Sequence, residues 1–182
     1  LLVLKHLACG AMLAVSGMLY QNVFRNPIAA PSMLGVTNGI NLALLILVMQ
    51  LGVTARTRMD LYYLYAYIGG AAMLVLVIFG SRWMSGKGSF SVVNMILIGT
   101  VLSQMIGVFI QYVEVAFMTD DVIYDYQLLQ MAADQNNVWT FVTLGIGFVV
   151  SLVPIIALRF RLNLVSFSDD EVRLLGVNPS VL

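Results

Sequence analysis

The stretch "RNPIAAPSMLGVTNG" (residues 25–39) lies between two long apolar runs and holds two prolines, two asparagines, an arginine and two glycines. Asn26-Pro27 reads as a helix stop, because the residue before a proline is pushed out of the α region and proline has no N–H to donate. Pro31 can restart a helix in its first turn, where a missing donor costs nothing. The stretch therefore reads as a tight turn between two helices, and the apolar runs on either side decide what kind of helices they are.

Those runs belong to a chain of 182 residues that is 60% hydrophobic and only 10% charged, with a mean hydropathy of +0.94. Soluble domains are roughly 45–50% apolar and about 25% charged. The composition predicts an all-α integral membrane protein, a polytopic helix bundle, since an open strand in lipid would leave its backbone groups unpaired. About 20 apolar residues are needed to cross a bilayer core of about 30 Å. Runs of that size predict spans near 3–22, 33–53, 61–80, 92–118 and 138–158, within one membrane domain over 1–182. The segment 168–176 is too short and too charged to cross.

Lys and Arg gather on the cytoplasmic side of such proteins. If the first span runs inward, the inner segments hold Arg25, Arg82, Lys87, Arg159, Arg161 and Arg173, against Lys5, Arg56 and Arg58 outside. That asymmetry places 119–137 outside and the C-terminal segment in the cytoplasm. Aromatic residues in "LYYLYAY" (61–67) and Trp83 mark the limits of the third span as interfacial belts. Gly10, Ala14 and Gly17, and the run Gly69 to Ala72, suit close helix approach in lipid.

The formal net charge is zero, which gives no sign of nucleic acid as a partner. Cys9 is the sole cysteine, so an internal disulfide and C-x-x-C sites are excluded. The opening "LLVLKHLACGAMLAVSG" lacks the layout of a signal peptide and is expected to begin inside a helix, as a fragment would. His6, the sole histidine, sits beside Lys5 near a span end and reads as interfacial. No nucleophile has a base in reach and no phosphate-binding loop occurs, so no catalytic residue and no cofactor are expected in this chain. Directly bound iron or cobalt would need several convergent ligands, and none are grouped here.

The wider segment "GMLYQNVFRNPIAAPSMLGVTNG" (17–39) resembles the signature of the FecCD-type permeases, the membrane subunits of ABC importers for ferric siderophores, haem and cobalamin. Gly17, Gln21, Asn26, Pro27, Ala29, Pro31, Leu34, Gly35 and Gly39 match that pattern in order and spacing, with Ile28 and Met33 as conservative departures. "NMILIGTVLSQMIG" (94–107) is similar to the family's central span, and "RLNLVSFSDDEVRLLGVNPSVL" (161–182) to its cytoplasmic coupling segment. The resemblance covers nearly the whole chain and corresponds to the family's second to sixth spans plus the coupling helix. The family's W-h-x-G-S before the sixth span is missing from "YDYQLLQMAADQNNVWTF" (124–141), where only Trp139 corresponds. Its basic start before the second span and its later half are absent too, so the chain is expected to be a piece of a permease.

The resemblance implies a subunit of a bacterial cytoplasmic membrane importer that moves a metal chelate inward by alternating access. It implies a second permease subunit, two ATP-binding subunits that supply ATP and Mg, and an extracytoplasmic substrate-binding protein, all in a lipid bilayer. A non-transporting scaffold is the alternative from another class, and an ion channel, which would need a ring of charges, is a weaker one.

Two groups of residues carry the functional expectation. Gln104, Gly107, Gln111 and Glu114 fall on one stripe of a helix at i, i+3, i+7 and i+10. Polar groups are costly in lipid, so the stripe should face protein or water. Helix-to-helix hydrogen bonding and a translocation path both satisfy that. The second group is "SDDEVRLLG" (168–176). Ser168 can cap a helix with Glu171 completing a capping box, Asp169 and Asp170 suit the positive end of its dipole, and Gly176 suits its stop. Val172, Leu174 and Leu175 give it an apolar side that fits a groove in a partner, which the resemblance makes the ATPase subunit.

Overall fold

The computed structural model describes residues 2–85, 92–131 and 138–165. Every element among them is helical: α1 (Leu2–Phe24), α2 (Val36–Leu51), α3 (Met59–Ser85), α4 (Val92–Phe117), α5 (Asp120–Gln130) and α6 (Val138–Val165), with 3-10 turns at Pro31–Leu34 and Gly52–Thr57. The chain divides into two compact units, 1–30 with 141–182, and 31–140. Helices α1, α3 and α4 contain stretches long and apolar enough to cross a membrane, Lys5–Phe24, Met59–Met84 and Val92–Phe117. Helix α2 and the 141–157 stretch of α6 are apolar but shorter.

In the first unit, α1 ends in a compact hydrogen-bonded stop. The Arg25 N–H donates to the Asn22 carbonyl and the Asn26 N–H to the Gln21 carbonyl, each at 3.1 Å. This is the Schellman pairing, which uses up carbonyls that the helix leaves without partners. Arg25 occupies the left-handed position at φ 47°, where glycine is the usual residue. The Asn26 side-chain oxygen then accepts from the Ile28 N–H at 3.0 Å, and the Ala29 N–H donates to the Asn26 carbonyl at 3.0 Å. Asparagine is suited to this place because its short amide can replace a backbone acceptor in a turn. The helix stop expected at Asn26-Pro27 is thus made by the backbone of Gln21 to Asn26, with the asparagine side chain closing the next turn.

The second unit is built around α2. The 33–53 run is not one continuous α-helix. Pro31 to Leu34 form a 3-10 turn, Gly35 takes φ 71°, and the α-helix starts at Val36. A left-handed residue interrupts an α-helix, and glycine adopts that conformation without the Cβ clash that other residues suffer. At about 1.5 Å per residue, the 16 residues of α2 reach about 24 Å.

Helices α2 and α3 touch backbone to backbone. A Cβ on Gly39 would lie 2.6 Å from Met73 Cβ and 2.7 Å from the Gly69 carbonyl oxygen, and one on Gly69 would strike the Gly39 carbonyl. The 31–34 turn sits as closely on α4, where a Cβ on Gly99 would be 2.8 Å from Leu34 Cα. Lipid tails are as apolar as leucine, so association in a membrane depends on this kind of close packing. The run at 69–72 therefore packs as its composition predicts, whereas Gly10 and Gly17 of α1 have nothing within 4 Å of an added Cβ.

The core of the second unit lies where α2 gives way to the 52–57 turn. Leu44, Leu47 and Val48 meet Ala55, Met59, Tyr62, Ile110 and Val113, together with Tyr126 and Leu129 of α5. Tyr62 is a core residue, so the aromatic run at 61–67 is only in part a belt. Trp83 is 91% exposed, as an interfacial anchor should be. Val75, Leu76 and Phe79 on the same helix are also exposed.

Candidate functional site

The motif of residues 25–39 falls across both units, and its parts do structural work in each. Gln21 and Asn26 close the end of α1, while Pro31 opens the 3-10 turn that leads to Gly35. A Cβ at Gly35 would lie 2.6 Å from both the Met73 methyl and Ser103 Oγ. Gly35 and Gly39 therefore let α3 and α4 close on the start of α2. One member of the stretch was not singled out from the sequence: the Asn38 amide donates to the Ser103 carbonyl at 2.8 Å, tying α2 to α4. An asparagine inside an otherwise apolar run was the available signal, since a buried amide demands a partner.

Helix α4 carries the candidate stripe. Its buried residues are Met95, Gly99, Ile110 and Val113, which cluster within about 60° of one another at about 100° per residue. Gln104 lies about 180° round the helix from Met95 on that count, and Gln111 about 160°. Both are exposed. They share their side with Val108 and Val115, both exposed as well. Gly107 is at the flank, with nothing within 4 Å of an added Cβ. Two amides about 10 Å apart along the axis are therefore carried on the face turned away from the unit's own packing.

Glu114 parts company with the two glutamines. It is half-buried at the end of the stripe, near enough to Tyr126 for its charge to act on the phenol. Tyr126 is fully buried and donates to the Asn41 carbonyl of α2 at 3.0 Å. Burial pushes its phenol up to about 12; a hydrogen bond with Gln130 works against that rise and the Glu114 charge adds to it. The segment 119–137, expected as an outer loop, thus contains a helix through Gln130 that is fastened to the core. Asp125 is buried in it, at 8% exposure.

The coupling residues expected at 168–176 lie outside the described residues. Among the described residues, no three His, Cys, Asp or Glu side chains are grouped as a metal site would require.

A set of helices of this length and apolarity, joined by tight turns and packed through glycine contacts, is that of a multi-pass membrane protein. The chain belongs to the FecCD transport family, which it matches over residues 2–182. It is 28% identical over 179 residues to the hemin transport system permease protein HmuU of Yersinia pestis, covering 97% of this chain and 52% of that one. It is 32% identical over 174 residues to the iron-uptake system permease protein FeuB of Bacillus subtilis, covering 93% and 49%. Its fold resembles a solved ABC transporter described as of metal-chelate type, in an inward-facing conformation, with a TM-score of 0.73 and 26% identity over 96% of this chain and 53% of that one. The chain therefore spans about half the length of the relatives it matches. This family is one of permease-type transporter subunits, not of enzymes or scaffolds.

Proposed function

We propose that the chain is part of the membrane-spanning subunit of an ABC importer of the bacterial cytoplasmic membrane, moving a metal chelate of the siderophore, haem or cobalamin class inward by alternating access. Energy comes from ATP and Mg held by two separate ATP-binding subunits, which the 168–176 segment contacts. A second permease subunit, identical or related, completes the pathway, and an extracytoplasmic binding protein delivers the cargo. The reading is supported by relatives that carry haem and iron. The observation that carries it is the face of α4 on which Gln104 and Gln111 stand clear of their unit's packing. A helix with amides on an unpacked face is costly in lipid and is accounted for when that face borders water and cargo.

The test is Gln104→Leu with Gln111→Leu in the intact transporter. Uptake is expected to fall about tenfold, the effect of raising the barrier by about 1.4 kcal/mol, with assembly and basal ATP hydrolysis unchanged. Uptake at the wild-type rate would return the two residues to packing and remove the support for a path along this face.

A further inference from the structure

Helix α4 changes character across a narrow line. At about 100° per residue, Thr100, Gln104, Gly107, Gln111 and Glu114 all fall between about 20° and 100° round the axis from Ser103. The buried residues Met95, Gly99, Ile110 and Val113 fall between about 20° and 80° on its other side. Ser103 therefore marks the boundary where the packed face of α4 meets its polar flank. At this boundary α2 makes a directed contact: the half-buried Asn38 donates through its side-chain amide to the Ser103 carbonyl at 2.8 Å.

That bond is not needed to satisfy the carbonyl. Within an α-helix the Ser103 oxygen also accepts from the N–H four residues on, that of Gly107, and a carbonyl has two lone pairs. A leucine, frequent in the rest of α2, would fill the position without a polar group, whereas an amide away from water is costly unless it is paired. What the amide supplies is direction. Around it the two helices meet through small groups: a Cβ on Gly99 would lie 2.8 Å from Leu34 Cα, and one on Gly35 2.6 Å from Ser103 Oγ. Apolar contact has no preferred direction, so it sets the spacing of the helices better than it sets the turn of α4 about its own axis. A hydrogen bond weakens steeply off its line and does resist that turn. The helix is also easily deformed here. Gly99 and Gly107 are poor helix formers, and the Thr100 hydroxyl donates to the Ile96 carbonyl at 2.8 Å, a back-bond that tends to bend helices.

We infer that Asn38 is a positioning residue for the path along α4: its amide sets the rotation of the helix at Ser103 and so the direction in which the neighbouring Gln104 is presented. The inference rests on the reading of that face as the path. A helix with its side chains has a radius of about 5–6 Å, so a turn of about 20° carries the tip of Gln104 by about 2 Å. Hydrogen-bond lengths span only about 0.5 Å, and a displacement of that size is enough to lose a contact.

The experiment is a double-mutant cycle on uptake by the intact transporter, normalised to assembled protein, with wild type, Asn38→Leu, Gln104→Leu and the pair. Asn38→Leu is expected to lower uptake about fivefold, the worth of one ordinary hydrogen bond. In the Gln104→Leu background it should cause no further loss, because residues that act as a unit are not additive. Asn38→Ala, which only removes atoms, should give the same pattern and so separates loss of the amide from crowding of the seam by a larger side chain. Equal fold-losses in the two backgrounds, or no loss from either Asn38 variant, overturns the assignment, since the amide would then only hold two helices together. Wild-type uptake in Gln104→Leu alone removes the path reading and the positioning role with it, and that result is read independently of either Asn38 variant.

Discussion

Gly39 and Gly10 look alike in sequence, each a small residue in an apolar run, yet an added methyl group meets very different surroundings at the two. At Gly39 it lies 2.6 Å from Met73 Cβ and 2.7 Å from a backbone oxygen, while at Gly10 it meets nothing within 4 Å. A backbone oxygen cannot turn aside, so α2 and α3 must separate. Gly39→Ala should destabilise the chain by about 1–3 kcal/mol, and Gly10→Ala should leave it no less stable, with a helix-propensity gain of at most about 1 kcal/mol, as measured by thermal unfolding in detergent. Equal melting of the two variants would show that α2 and α3 do not meet through Gly39. Tyr126 gives a second prediction at this scale. Its neutral phenol donates to the Asn41 carbonyl, and its titration is displaced upward from 10 to about 12. The folded state therefore holds this proton more tightly than the unfolded state does. The resulting stability is complete below about pH 10 and is lost as pH rises towards about 12. In Tyr126→Phe that part of the alkaline loss should vanish, at a constant cost of about 0.5–1.5 kcal/mol at neutral pH. The same alkaline loss in wild type and variant would mean that Tyr126 ionises as an exposed tyrosine does.

The elements differ in how openly the sequence declared them. Long apolar runs in a chain with few charges announced α1, α3, α4 and α6, because backbone pairing in lipid leaves helices as the natural solution. The break at Gly35 was harder to see: Pro31 signals a helix start, but only the close approach of Met73 and Ser103 requires the left-handed glycine four residues on. Helix α5 was missed, since "DDVIYDYQLLQ" is too polar to read as a span and its acids suggest solvent. Its helical signal was nevertheless present. Asp120 and Asp121 stand in the first turn, where they complement the dipole, and Val122, Tyr126 and Leu129 recur at i, i+4 and i+7. The site was less legible than the fold. A stripe rule groups Gln104, Gln111 and Glu114 together, and it cannot foresee that α5 brings Tyr126 to the last of them. The helical assignment of α5 predicts a contrast between neighbours. With Cys9→Ala as background, a cysteine at Tyr124, 61% exposed, should react readily with a water-soluble maleimide, and one at Leu129, 3% exposed, slowly. Similar rates at both positions would return the segment to an irregular loop.

For the molecule as a whole, the charge pattern and the helix order have to agree on one orientation. Within the second unit, α2 leads to the 52–57 turn, α3 returns, and α4 leads back to α5, which packs against that same turn. Arg58, Asp60, Asp120 and Asp121 consequently belong to one end of the unit, and Arg82, near the close of α3, to the other. In the sequence, six of the nine Lys and Arg fall in segments on the Arg82 side if the chain crosses the membrane at each long apolar run. We propose, on the positive-inside tendency, that this side is cytoplasmic, with α5 on the outer surface and 168–176 on the side of the ATP-binding partner proposed above. Asp125 lies in the outer segment but is buried, so a label there would report packing and not sidedness. Asp121 is exposed and is the better reporter. In the Cys9→Ala background, cysteines at Asp121 and Asn178 should be labelled by an impermeant maleimide from opposite faces, Asp121 in whole cells and Asn178 only in inverted vesicles. Labelling of both from the same face would require an even number of crossings between α5 and the C-terminal segment. Helix α6 could then not span the membrane, and the coupling role of 168–176 would fall with it.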